Sequence, residues 1–132
     1  AADALRARIQ ARDRLYAPAL LEYEVCSALR RAVTLGVLPS NVASEALELL
    51  TTLRIKPITP ASSLHGRALS WAARLGHSKS YDAQYMALAE ELGCELLTAD
   101  LRLARSAQAL GVDWVVGVDT YAEKTIDGGG MR

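Results

Sequence analysis

The chain has 132 residues, of which 51% are hydrophobic and 23% charged. This composition is typical of one globular domain whose core is stable without disulfides or a structural metal. The 15 Lys and Arg residues balance the 15 Asp and Glu residues, and no apolar run reaches the roughly 20 residues of a membrane span, so neither nucleic acid nor a membrane is indicated by charge or hydropathy. Cys26 and Cys94 lie far apart without a CxxC or a neighbouring histidine, which disfavours zinc and secreted disulfides and favours a cytoplasmic protein.

Helices alternate with short strands along the chain. Recurrence of apolar residues every three or four positions predicts helices over residues 2–12, 19–35, 41–53, 60–75, 82–92 and 101–110. Short extended or apolar segments predict strands over residues 14–17, 54–58, 95–99 and 112–118. This alternation predicts an α/β protein, a three-layer α/β/α sandwich with a mainly parallel central sheet.

Polar residues and glycines mark the ends of these elements. Ser40 and Thr59 are predicted helix N-caps, and Pro60 suits a first helical turn. Helix ends are predicted at four glycines, Gly36, Gly76, Gly93 and Gly111. We expect a single domain over residues 1–121, followed by a flexible, glycine-rich tail over residues 122–132.

Three carboxylates occupy unusual positions in this pattern. Glu24 falls inside the apolar arc of the helix over 19–35, rather than on its solvated side. Asp82 opens the helix over 82–92, and Asp100 lies between a strand and the next helix. For these two, the simpler interpretation is a first-turn acid and an N-cap. The alternative is a shared site at the carboxyl edge of the sheet, where open α/β folds bind ligands.

A cluster of Glu24, Asp82 and Asp100 would consist of oxygen ligands alone. Such a set suits hard cations, Mg²⁺ or Mn²⁺, rather than zinc. A divalent cation keeps crowded carboxylates ionised, activates water and neutralises charge on a phosphodiester. The chemistry that this cluster favours is therefore hydrolysis of phosphate esters.

Three segments carry a family resemblance: YAPALLEYEVCSALRRAV, SYDAQYMALAEELGCELLTAD and LRLARSA. Between Ala2 and about Val118 the chain resembles the PIN-domain nucleases, most closely the VapC-type toxins of toxin–antitoxin pairs. The resemblance implies a PIN-like fold and a metal-dependent endoribonuclease whose Mg²⁺ or Mn²⁺ is held by three matching acids, Glu24, Asp82 and Asp100. It also implies an RNA substrate, a cognate antitoxin and a homodimer.

Two further residues match the family near this site. Thr98 matches a hydroxyl position beside the acids, and Arg102 lies in a matching block close to Asp100. Contact with RNA phosphate and ordinary solvation both remain open for Arg102, as they do for Arg30, Arg31 and Arg105.

One feature of the family is missing from this sequence. The family opens with an apolar strand that ends in an aspartate and lies in the middle of the sheet, and neither Asp3 nor Asp13 has that context. We therefore expect that the natural protein continues upstream, and that this chain binds metal weakly and cleaves little. The alternative hypothesis is a catalytically incomplete PIN-like module that serves binding or dimerisation.

The histidines and tryptophans are given structural interpretations. His65 and His77 are predicted to be surface residues, because neither has a second ligand at metal-site spacing. Trp71 and Trp114 are predicted to lie in the core or in a dimer interface.

Overall fold

The computed structural model describes residues 14–118, which form five helices and four strands. In chain order these are β1 (Tyr16–Pro18), α1 (Leu20–Thr34), α2 (Ser40–Thr52), β2 (Lys56–Ile58), α3 (Ser62–Leu75), α4 (Tyr81–Leu92), β3 (Leu96–Thr98), α5 (Leu101–Ala109) and β4 (Val115–Gly117). The predicted helix over 2–12 and the predicted tail over 122–132 lie outside the described residues.

The described chain divides into two compact units, a first unit of Arg14–Thr59 and a second unit that covers residues 60–118. Both contain one pair of parallel strands, β1 with β2 in the first unit and β3 with β4 in the second. In each pair the two parallel strands are connected through helices, which confirms the predicted α/β class. A single domain over residues 1–121 stays a prediction.

The first unit is a helical hairpin joined to a short parallel sheet. Tyr16 is in register with Lys56, and Pro18 with Ile58. Backbone bonds extend this ladder at both ends: the Lys56 N–H donates to the Leu15 carbonyl at 2.9 Å, and the Ala19 N–H donates to the Ile58 carbonyl at 3.0 Å. Helix α1 packs against α2 and against β1.

Neither helix of this hairpin has a buried residue. The arc predicted to be apolar in α1 does face inward, since Leu21, Val25 and Leu29 are half-buried while Arg30 and Arg31 are exposed. A unit of this size has too little interior to enclose both helices completely. The sequence pattern therefore predicted the direction of burial correctly, but not its extent.

The core of the second unit lies between α3 and α4. Ala68 of α3 and two alanines of α4, Ala83 and Ala87, have no exposed surface, so the two helices approach closely. Met86 is also fully buried. Larger side chains close the ends of this seam, chiefly Leu64, Trp71 and Leu88.

The two tryptophans pack against each other in the second unit. Their rings meet edge to face, with centroids 5.7 Å apart and planes at 86°. Trp71 is buried, and the Arg74 guanidinium covers its ring at 4.1 Å from the centroid. Of the two predicted interpretations, the core position is confirmed for Trp71.

Strands β3 and β4 pair in parallel with Leu96 opposite Val115, and α5 packs on both strands. The predicted strand over 112–118 is shortened to Val115–Gly117. Its first residue, Val112, is buried, and its N–H donates to the Ala107 carbonyl at 2.9 Å. Val112 therefore completes the end of α5 instead of extending the strand.

The predicted glycine stops are confirmed, as Gly76 shows in detail. Gly76 has a φ of 72°, a left-handed conformation that glycine adopts without a Cβ clash. Its N–H donates to the Ala73 carbonyl at 3.1 Å, and the His77 N–H donates to the Ala72 carbonyl at 2.9 Å. These bonds end α3 and fix the backbone of the residue that follows.

Two of the predicted N-caps are wrong. Helix α2 begins at Ser40 itself, because Pro39 is extended (φ −65°, ψ 151°) and takes the cap position. Helix α3 begins at Ser62 after an extended Ala61, two residues beyond Pro60. The observed cap residues, Pro39 and Ala61, make no capping hydrogen bond through their side chains.

Asp100, by contrast, is a true N-cap. Its backbone is extended (φ −82°, ψ 101°), and its side chain accepts hydrogen bonds from the N–H groups of Arg102 and Leu103. The first turn of α5 is thus closed by a carboxylate. In residues 14–118 no helix is long and apolar enough to cross a membrane.

We expect Met86→Ala to lower the free energy of unfolding by about 2 to 5 kcal/mol, because it leaves a cavity in the seam between α3 and α4. The matched control is Leu69→Ala on α3, a residue that is 67% exposed, which should change stability by less than about 0.5 kcal/mol. Urea unfolding followed by circular dichroism measures both. Equal losses for the two variants would show that the seam is not the core.

We expect Asp100→Ala to cost about 0.5 to 2 kcal/mol of stability, because α5 loses the acceptor that closes its first turn. Asp100→Asn should retain most of the stability, since asparagine is an equally good N-cap. Thermal unfolding of the three proteins measures the difference. A stability loss in Asp100→Asn as large as that in Asp100→Ala would contradict the capping role.

Candidate functional site

The turn between β3 and α5 holds Asp100 by three hydrogen bonds. The Asp100 N–H donates to Thr98 Oγ1 at 3.0 Å. In turn, Asp100 Oδ1 accepts from the Arg102 N–H at 2.9 Å and from the Leu103 N–H at 3.3 Å. The carboxylate is therefore oriented by the backbone at the carboxyl end of a parallel strand, where open α/β sheets bind ligands.

Both capping bonds use the same oxygen of Asp100. Oδ1 accepts both, and within residues 14–118 no donor contacts Oδ2. The Thr98 hydroxyl is an acceptor in this turn, so its own proton can still be donated to a second group. The two interpretations of Asp100, a cap and a ligand, are therefore compatible because each requires a different oxygen.

Asp82 lies in the first turn of α4 and is held differently. The N-cap of α4 is Ser80, whose side chain makes no capping bond, and in the described part of the chain no backbone N–H donates to the Asp82 carboxylate. Its polar neighbour is His77, whose Nδ1 lies 3.9 Å from Asp82 Oδ2. Asp82 is thus a first-turn acid that complements the helix dipole without capping the helix.

Both histidines lie at the surface, as predicted. His65 is exposed, and the side chain of His77 is 32% exposed and lies beside Asp82. A loop of only five residues separates α3 from α4 and contains His77.

Glu24 belongs to the first unit, whereas Asp82 and Asp100 belong to the second. Glu24 is half-buried, which agrees with its predicted place in the apolar arc of α1, whereas Glu22 on the same helix is exposed. In the second unit α4 and α5 both contact β3, so Asp82 and Asp100 begin two helices that pack on one strand. A shared site of Glu24, Asp82 and Asp100 stays a prediction.

The donor chemistry of the two aspartates suits a hard divalent cation. Asp100 Oδ2 is an anionic oxygen that no donor among residues 14–118 contacts, and Asp82 is 47% exposed on its side chain. Carboxylate oxygens are the ligands that Mg²⁺ and Mn²⁺ prefer. Within residues 14–118, however, no three His, Cys, Asp or Glu side chains gather closely enough to hold a metal ion by themselves.

The first unit also contains a cavity of about 480 Å³ between its helices and its sheet. Its walls are mainly apolar, with Leu21 and Leu50 among them, and its charged residues are Glu22 and Arg54. Arg54 has a left-handed φ of 52°, which is uncommon for a residue with a side chain. Glu24 is not among the residues that line this cavity.

A family model agrees with the sequence resemblance. The model of the PIN domain matches residues 1–109, which is most of the chain. This range includes Glu24, Asp82, Thr98, Asp100 and Arg102.

Curated relatives extend this match. Ribonuclease VapC9 of Mycobacterium tuberculosis is 37% identical over 107 residues, 81% of this chain and 81% of that protein. Ribonuclease VapC3 of the same organism is 41% identical over 112 residues, 83% of this chain and 78% of that protein. Ribonuclease VapC3 of Pyrobaculum aerophilum is 37% identical over 109 residues, 82% of each chain. No solved structure matches significantly.

With a family model over most of its length and VapC relatives over four fifths of it, the chain belongs to the VapC-type branch of the PIN-domain family.

Proposed function

We propose that the protein is a metal-dependent endoribonuclease that hydrolyses phosphodiester bonds in RNA and acts as the toxin of a toxin–antitoxin pair. The observation that carries this proposal is the turn of Asp100, in which Oδ1 caps the helix while no donor among residues 14–118 contacts Oδ2. The relatives support the substrate class, because each is named a ribonuclease.

Glu24, Asp82 and Asp100 are the proposed ligands of Mg²⁺ or Mn²⁺. When bound, such a cation supplies activation of water and neutralisation of charge on the phosphodiester. Thr98 holds the Asp100 turn through its hydroxyl oxygen, and its remaining proton is a hydrogen-bond donor for substrate. Arg102 is exposed on the first turn of α5, where its guanidinium is available to an RNA phosphate.

The family membership also supports two protein partners. We propose a cognate antitoxin that holds the nuclease inactive, and a second copy of this chain in a homodimer. Both would act with the protein in the cytoplasm.

The alternative function is a PIN-like module that binds or dimerises without cutting RNA. The two functions differ in what the acids do: a nuclease requires Asp82 and Asp100 for cleavage, whereas a binding module requires neither.

We expect Asp82→Asn and Asp100→Asn each to reduce Mn²⁺-dependent RNA cleavage by about 100-fold or more, since each removes an anionic ligand. Glu24→Gln should have a similar effect, and a chelator should abolish cleavage by the unmodified chain. Cleavage of a fluorescently labelled RNA at saturating Mn²⁺ measures these rates.

The matched control is Asp113→Asn. Asp113 is exposed and precedes β4, so it lies at the amino end of the strand pair, opposite to Asp100. Its variant should cleave like the unmodified chain. Undiminished cleavage by Asp82→Asn and Asp100→Asn would refute the nuclease mechanism, and an RNA-binding chain that never cleaves would favour the module.

We expect Arg102→Ala to weaken RNA binding and to lower the slope of log affinity against log salt by about 1, because one phosphate contact is lost. Arg105→Ala is the control on the same helix, one turn further from Asp100, and should have the smaller effect. Fluorescence anisotropy at several salt concentrations measures both slopes. If Arg105→Ala changes the slope as much as Arg102→Ala, the specific role of Arg102 is wrong.

A further inference from the structure

We propose that the first unit binds an apolar monocarboxylate, a medium-chain fatty acid, in the cavity between its helices and its sheet. The hydrocarbon chain of this ligand occupies the cavity, and its carboxylate pairs with the Arg54 guanidinium. The inference is independent of the proposed nuclease function, because Glu24, Asp82 and Asp100 are not among the residues that line the cavity.

The first step is the size and the lining of the cavity. Its volume is about 480 Å³. All four elements of the first unit contribute to its walls, which include Ala17, Leu21, Leu50 and Pro57. Small-molecule pockets in proteins commonly measure about 300 to 1,000 Å³ and have mainly apolar walls. The cavity therefore has the dimensions and the chemistry of a site for a small apolar ligand.

The second step is that the helices beside the cavity keep apolar surface in contact with water. Neither α1 nor α2 has a buried residue. Among the side chains that line the cavity, Leu21 and Leu50 are half-buried and Leu47 is 40% exposed. A hydrocarbon chain bound between the helices removes this surface from water, which is favourable.

The third step is the residue that follows α2. The other four helices are each followed, within two residues, by a glycine with a positive φ, namely Gly36, Gly76, Gly93 and Gly111. At the corresponding position after α2 stands Arg54, the one non-glycine residue with a positive φ that residues 14–118 contain. This conformation is strained for a residue with a Cβ. Such strain points to a function of the side chain, and Arg54 lines the cavity.

The fourth step is the charge of the cavity. Its charged residues lie toward opposite ends of the strand pair, because Glu22 follows β1 whereas Arg54 precedes β2, which is parallel to β1. Within residues 14–118 Arg54 forms no ion pair, so its charge is not neutralised. The guanidinium fork matches a carboxylate, and Glu22 disfavours a ligand with a second negative charge, such as a phosphate monoester. A monocarboxylate therefore complements both the walls and the charge.

The experiment measures the binding of decanoate to the full chain by isothermal titration calorimetry, below the concentration at which decanoate forms micelles. Decanol carries the same hydrocarbon chain without the charge. Arg54→Gly removes the guanidinium, and Leu50→Trp fills the cavity. The matched control is Arg31→Ala, because Arg31 is exposed on α1 and does not line the cavity.

We expect decanoate to bind, and we expect both the exchange for decanol and the change Arg54→Gly to weaken binding by about 10-fold or more, because a charge-assisted hydrogen bond is lost. Leu50→Trp should abolish binding, and Arg31→Ala should bind decanoate like the unmodified chain. Without ligand, Arg54→Gly should raise the melting temperature by about 2 to 5 °C, since glycine adopts the left-handed conformation without strain. A purely structural role of Arg54 predicts the opposite change in stability.

Three results would overturn the proposal. Equal binding of decanol and decanoate, or normal binding of decanoate by Arg54→Gly, would show that the charge is not recognised. A lower melting temperature of Arg54→Gly would show that Arg54 supports the fold instead of a ligand. Absence of decanoate binding would also refute the site, and a change in mass of Leu50→Trp in analytical ultracentrifugation would then assign the cavity to an interface between copies of the chain.

Discussion

The close contact of α3 with α4 is the interaction on which the second unit depends. The contact is made by small side chains: Ala68, Ala83 and Ala87 are fully buried and let the two helix backbones approach each other. The contact fixes the first turn of α4 and hence Asp82. It also places the end of α3, with His77, beside that carboxylate.

The second unit separates the groups that hold its fold from the groups that are available for chemistry. No polar or charged residue is buried among the described residues, so the core of the second unit pays no desolvation cost for a buried polar side chain. The start of α5 is a place where these two kinds of group coincide, because the backbone N–H groups of a helix start need acceptors. Asp100 serves both needs at once, since one carboxylate oxygen closes α5 and the other faces no donor within residues 14–118.

The first unit shows a different balance. Its helices have clear apolar arcs but no buried residue, and a cavity of about 480 Å³ lies between them and the sheet. Glu24 is half-buried on α1, as its place in the apolar arc predicts, whereas Glu22 is exposed and lines the cavity.

The sequence by itself determined the order and type of the elements, the glycine ends of the helices and the family, because these depend on local backbone preference and on motifs that the chain contains. It also identified Asp100 as a helix start. Contacts between elements were decided only by the tertiary structure. Strand β4 is shorter than predicted because Val112 bonds to the end of α5, and Pro39 displaces Ser40 from the cap. His77 meets Asp82 because the packed α3 and α4 anchor both ends of their loop, and no pattern within one helix encodes that distance.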